Sequence, residues 1–117
     1  MKIFLCVALL GFALTLSGEI AAAVTVKASV SCGAWMTDRE KEKVGEKLAS
    51  LFSRRWLIGY LSGLATGANK EFWDRPNAIA LDYESVFLWM DDYCQANPRK
   101  DIADGAARLF QERTRSR

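Results

Sequence analysis

The 117-residue chain contains no histidine, and that absence excludes the most chemistry. Without imidazole there is no histidine general base, no Ser-His or Cys-His nucleophile pair and no histidine-ligated metal. Proline occurs twice and cysteine three times. The sequence holds no Gly-rich phosphate loop, no G-x-S-x-G elbow and no spaced set of metal ligands. Charge of one sign is also missing: 16 Lys and Arg face 14 Asp and Glu, a net of +2. Nucleic-acid binding by phosphate neutralisation needs a denser basic stripe than that, so nucleic acid is not an expected partner. Adjacent Asp91 and Asp92 point about 100° apart on a helix and cannot form a facing acid/base pair. Asp101 and Asp104 read as first-turn acids, and all four carboxylates as solvated. The expectation is a protein that is not an enzyme and has no cofactor.

One hydrophobic run is present, Ile3 to Leu16, preceded by Lys2 and followed by the small residues Ala21 and Ala23. It has the layout of a secretory signal peptide over residues 1–23. At about 14 residues it falls short of the roughly 20 that span a bilayer, so no membrane span is expected after cleavage. Cleavage would remove Lys2 and Glu19, one charge of each sign, and leave a domain at 24–117 in the periplasm. A domain that small buries only about 60–65% of its unfolded surface, so a covalent constraint is valuable. Cys32 and Cys94 remain. An even pair in an exported chain reads as a disulfide, and this one closes a loop worth about 4 kcal/mol in the chain-entropy model.

Residues 24–31 read as a flexible arm or a short strand, since Val24 to Val30 alternate β-branched and polar residues. Beyond them the apolar spacing is helical. Thr37 and Glu40 have the form of a capping box. Leu48, Leu51, Phe52, Leu57, Leu61 and Leu64 mark a long amphipathic helix to about Ala68. Gly59, Gly63 and Gly67 recur every fourth residue along it. Each costs about 1 kcal/mol against Ala, so the row predicts a close neighbour: a helix of this chain, with Tyr60 beside it and Gly67 as terminator, or else a partner helix or ligand backbone in that groove. Asn69 to Leu81 reads as a loop whose Phe72 and Trp73, next to Arg75, either fold back as a lid on the small core or serve as candidate anchors for a protein partner. Asp82 caps a helix with the stripe Val86, Trp89, Met90, Tyr93 and Cys94. Asn97 and Pro98 end it and offer a start to the last helix, whose stripe is Ile102, Ala106, Leu109 and Phe110. The expected fold is all-α: three to four helices in a small bundle stapled by one disulfide.

Several of these residues form an ordered set: Ser31-Cys32-Gly33-x-Trp35-x-x-x-Arg39, Trp56 to Gly63, Leu88-Trp89-Met90-Asp91-x-Tyr93-Cys94-x-x-Asn97-Pro98, and Ile102 to Ala106. The set resembles the small exported helical proteins of the Rap/Tai-type immunity superfamily, similar in layout to the HdeA-type acid-stress chaperones. The resemblance implies a bond between Cys32 and Cys94 around a helix bearing Gly59, Tyr60 and Gly63. It also implies a periplasmic protein that binds another protein. In the immunity groups that partner is a peptidoglycan-cleaving toxin; in the chaperones it is a client unfolded by acid. A dimer stays open.

Overall fold

Four helices carry residues 32–114 of the computed structural model, which describes residues 24–115. The signal-peptide reading of 1–23 and the last arginine, Arg117, lie outside the described residues. The helices are α1 (Cys32–Lys43), α2 (Lys47–Ala68), α3 (Tyr83–Ala96) and α4 (Ile102–Thr114). α1 and α4 each pack against both α2 and α3. The all-α bundle is therefore as expected, with four helices, and no strand forms among the described residues.

Two helices begin elsewhere than the sequence suggests. Ser31 caps α1, its hydroxyl accepting from Ala34 N–H at 3.1 Å. Thr37 then sits mid-helix with its hydroxyl donating to the Gly33 carbonyl at 3.0 Å, so the Thr37/Glu40 capping box does not form. α4 starts at Asp101 rather than at Asn97 and Pro98. Asp101 accepts from Asp104 N–H at 3.0 Å while the Asp104 carboxylate accepts from Asp101 N–H, a reciprocal capping box of two acids. Both ends gain from a shared tie: Cys32 N–H donates to the Lys100 carbonyl and Ile102 N–H to the Val30 carbonyl, each at 2.9 Å. The end of the arm is thus pinned to the start of α4. Asp82 caps α3 as expected, accepting from Ser85 N–H at 2.7 Å. α2 runs through Gly67 and stops on Asn69 in the left-handed region, φ 50°, which takes the terminator role from Gly67.

The core is built from Trp35, Leu57, Leu61, Phe72, Val86, Met90, Ile102 and Ala106 around the Cys32–Cys94 disulfide. Gly105 lets α4 approach α3. A methyl group there would lie 2.7 Å from both Met90 Sδ and Tyr93 Cδ1. This is the close glycine contact that the α2 row predicts for itself and does not make.

Candidate functional site

The disulfide is one part of a larger clamp between α1 and α3. Trp35 and Arg39, on successive turns of α1, both reach Asp91, one turn before Cys94 on α3. Trp35 Nε1–H donates to Asp91 Oδ1 at 2.8 Å. Arg39 donates from Nε at 3.0 Å to Oδ1 and from Nη2 at 2.9 Å to Oδ2, the bidentate fork that suits a carboxylate. Its Nη1 also meets Glu42 at 3.1 Å, and Arg54 of α2 approaches the same carboxylate at 3.5 Å. The Arg39 guanidinium lies 5.9 Å from the Trp35 ring and 5.8 Å from the Phe87 ring. Hydrogen bonding to Asp91 raises the Arg39 pKa, and the guanidinium stays charged. Burial works to raise Glu42, but the Ser50 hydroxyl and the two guanidiniums outweigh it and hold the carboxyl below its ordinary value. Asp91 is therefore not the solvated acid suggested by its place beside Asp92. The cluster is a strut, with its charges spent on one another.

The loop at 69–82 is the second site. Phe72 is fully buried, with its ring 6.1 Å from Phe110. This corrects its assignment as a partner anchor: a small core needs that ring, and α2, α3 and α4 leave a gap that it fills. Trp73 is half-buried and its Nε1–H donates to the Ser62 hydroxyl at 3.1 Å. Arg113, near the end of α4, holds the loop down by donating to the carbonyls of Phe72, Trp73 and Ile79. Arg75 donates in return to the Arg113 carbonyl. Burial, then the nearby Arg75, lowers the Arg113 pKa. Nothing in the sequence around Arg113 signals this role, since carbonyls about 35–40 residues away leave no local trace. The loop surface left to solvent is Asn69 to Glu71, Asp74 and Pro76 to Ala80, with Ile79 92% exposed. Below it a cleft of about 900 Å³ is lined by Arg75, Asn77, Leu81, Arg113 and Arg115. One acid, Glu112, joins that lining, and it is already paired with Arg108 at 3.1 Å.

The glycine row corrects a further expectation. Gly59, Gly63 and Gly67 are exposed, and a methyl group built on any of them meets nothing within 4 Å. They do not pack against any helix among the described residues. Together with Tyr60, Leu64, Ala103, Ala107, Phe110 and Val24 to Val26 they form an open, mostly apolar groove of about 950 Å³ between α2, α4 and the arm. Tyr60 is half-buried and stacks on Trp56 at 4.9 Å.

Among the described residues no group of three or more Cys, Asp or Glu is placed to hold a metal. Nor is any described helix long and apolar enough to cross a membrane. Comparison with protein-family models, with curated proteins and with solved structures finds no match to this chain.

Proposed function

We propose that the chain is a non-catalytic, exported protein-binding module of the periplasm, and more narrowly an immunity-type inhibitor of a cell-wall-degrading toxin. The observation that carries this reading is the exposed Ile79 on a loop that Arg113 fastens to α4, above a cleft lined by three arginines. A rigid scaffold presenting one apolar side chain beside concentrated positive charge suits a partner with an acidic rim around a small apolar pocket. Export fits the stapled fold, because a disulfide persists in an oxidising compartment. The inhibitor form is tested with dye-labelled peptidoglycan. Excess oxidised protein should slow its release by an extract containing the cognate hydrolase, and an unchanged rate at saturating protein removes the inhibitor form.

A second reading, an acid-stress chaperone, draws on the carboxylates of the α1–α2–α3 cluster. Protonating Glu42, which meets both Arg39 and Arg54, would leave those two guanidiniums facing each other where α1 and α2 join. On that reading the protein suppresses aggregation of an acid-unfolded client near pH 2–3. Aggregation that proceeds at the same rate with and without it eliminates the chaperone role.

A further inference from the structure

The outward face of α2 is unlike a solvated helix surface. Leu48, Phe52, Arg55, Gly59, Gly63 and Thr66 follow one another along it at helical spacing, and all are exposed. Leu48 and Phe52 are 69% and 71% exposed. Arg55 is the only charge in that set, and from Trp56 to Ala68 the helix carries none. The face has two unlike halves: large apolar side chains that project at the amino end, and bare glycine backbone at the carboxyl end.

Those halves are complementary to each other. Leu48 and Phe52 are four residues apart, and so are Gly59 and Gly63. When two copies of α2 lie antiparallel about a two-fold axis near residues 55 and 56, Phe52 of each copy falls on Gly59 of the other. Leu48 then falls on Gly63. Such an isologous contact matches a patch with itself, as closed dimers require. Among the described residues the space above the glycines is open, so the rings seat without displacing any of their side chains. Trp56, stacked on Tyr60, meets its own copy on one flank of the axis, and the two Arg55 side chains leave to solvent on the other. At 22 residues α2 is about 33 Å long. Leu48 to Gly63 is 15 residue steps, so the matched contact runs about 22 Å along each helix.

We infer that the exposed face of α2 is a homodimer interface, in which the Leu48/Phe52 end of one copy packs on the Gly59/Gly63 end of a second. The surface is separate from the Ile79 loop, so the dimer would present two copies of that loop. The test is sedimentation of the oxidised protein, purified from the exported fraction of cells producing the full chain, across about 1 μM to 1 mM. A dimer is expected, with Phe52→Glu and Gly59→Arg each raising its dissociation constant by at least tenfold. Both changes fall on solvent-facing positions with room around them, and circular dichroism checks that each variant remains folded. Mixing the two variants should restore a heterodimer, because the introduced carboxylate and guanidinium meet at one of the two contacts while the other keeps Phe on Gly. A monomer at 1 mM, a dimer indifferent to both substitutions, or a mixture no more associated than its components overturns the inference.

Discussion

Removing the Asp91 carboxylate should destabilise the bundle more than any other single acid in it. Asp91→Ala takes the acceptor from Trp35 Nε1–H and from two N–H groups of Arg39, and leaves a guanidinium whose side chain is 13% exposed. Breaking a fully buried pair costs about 3–5 kcal/mol. The Asp91 side chain is 24% exposed, and Glu42 and Glu84 remain near Arg39, so solvent and those carboxylates reduce the cost to about 2–3 kcal/mol. For a domain of this size that lowers the melting temperature by about 10–20 °C. Asp91→Asn keeps an acceptor for the indole and should recover roughly 1 kcal/mol of the loss. The assay is urea unfolding of the oxidised protein followed by tryptophan fluorescence, with Arg39→Met and the double variant completing a cycle. An Asp91→Ala protein within 0.5 kcal/mol of wild type would refute the clamp, as would a cycle with no coupling between positions 39 and 91.

Three further outcomes can be measured in the same way. Gly105→Ala should destabilise by about 1–2 kcal/mol, because its methyl group would press on Met90 and Tyr93, whereas Gly59→Ala in a Phe52→Glu background should stabilise by up to about 1 kcal/mol; the same sign for both would contradict the packing described. Replacing Cys32 and Cys94 by Ser should cost about 2–5 kcal/mol, and a urea midpoint unmoved by the double change would mean the staple contributes nothing. Glu42, Glu71 and Asp82 all sit below their ordinary pKa values; for Glu71 the Asp74 and Trp73 N–H groups are the cause, and for Asp82 the Ser85 N–H. A carboxyl held low in the fold stabilises fully above its unfolded value and less as pH falls through its folded one, so the midpoint should drop from about pH 5 downward; a midpoint flat to pH 3 would contradict this.

What could be read from the sequence follows the range of each interaction. The stripes of α2, α3 and α4 are periodic over four turns or so, and periodicity placed those helices. Asp82 caps through a contact three residues away and was equally legible. The start of α1 was not, because Thr37 and Glu40 imitate a cap while the real one, Ser31, is reinforced by backbone bonds to residues 100–102. Asp91 looked solvated since its partners lie 52 and 56 residues away. Phe72 and Trp73 were visible as a pair, but only the gap between helices decides that the first ring enters the core. The glycine row was correctly seen as unusual. Its expected neighbour is not among the described residues.

The most direct test of the protein-binding account is affinity capture with immobilised oxidised protein from periplasmic and secreted extract, run beside an Ile79→Asp/Arg115→Glu variant. Both side chains are exposed, so the fold should survive the changes. The account predicts one stoichiometric protein on the wild-type column and its loss from the variant. An empty wild-type column, or a partner retained equally by both, would contradict it.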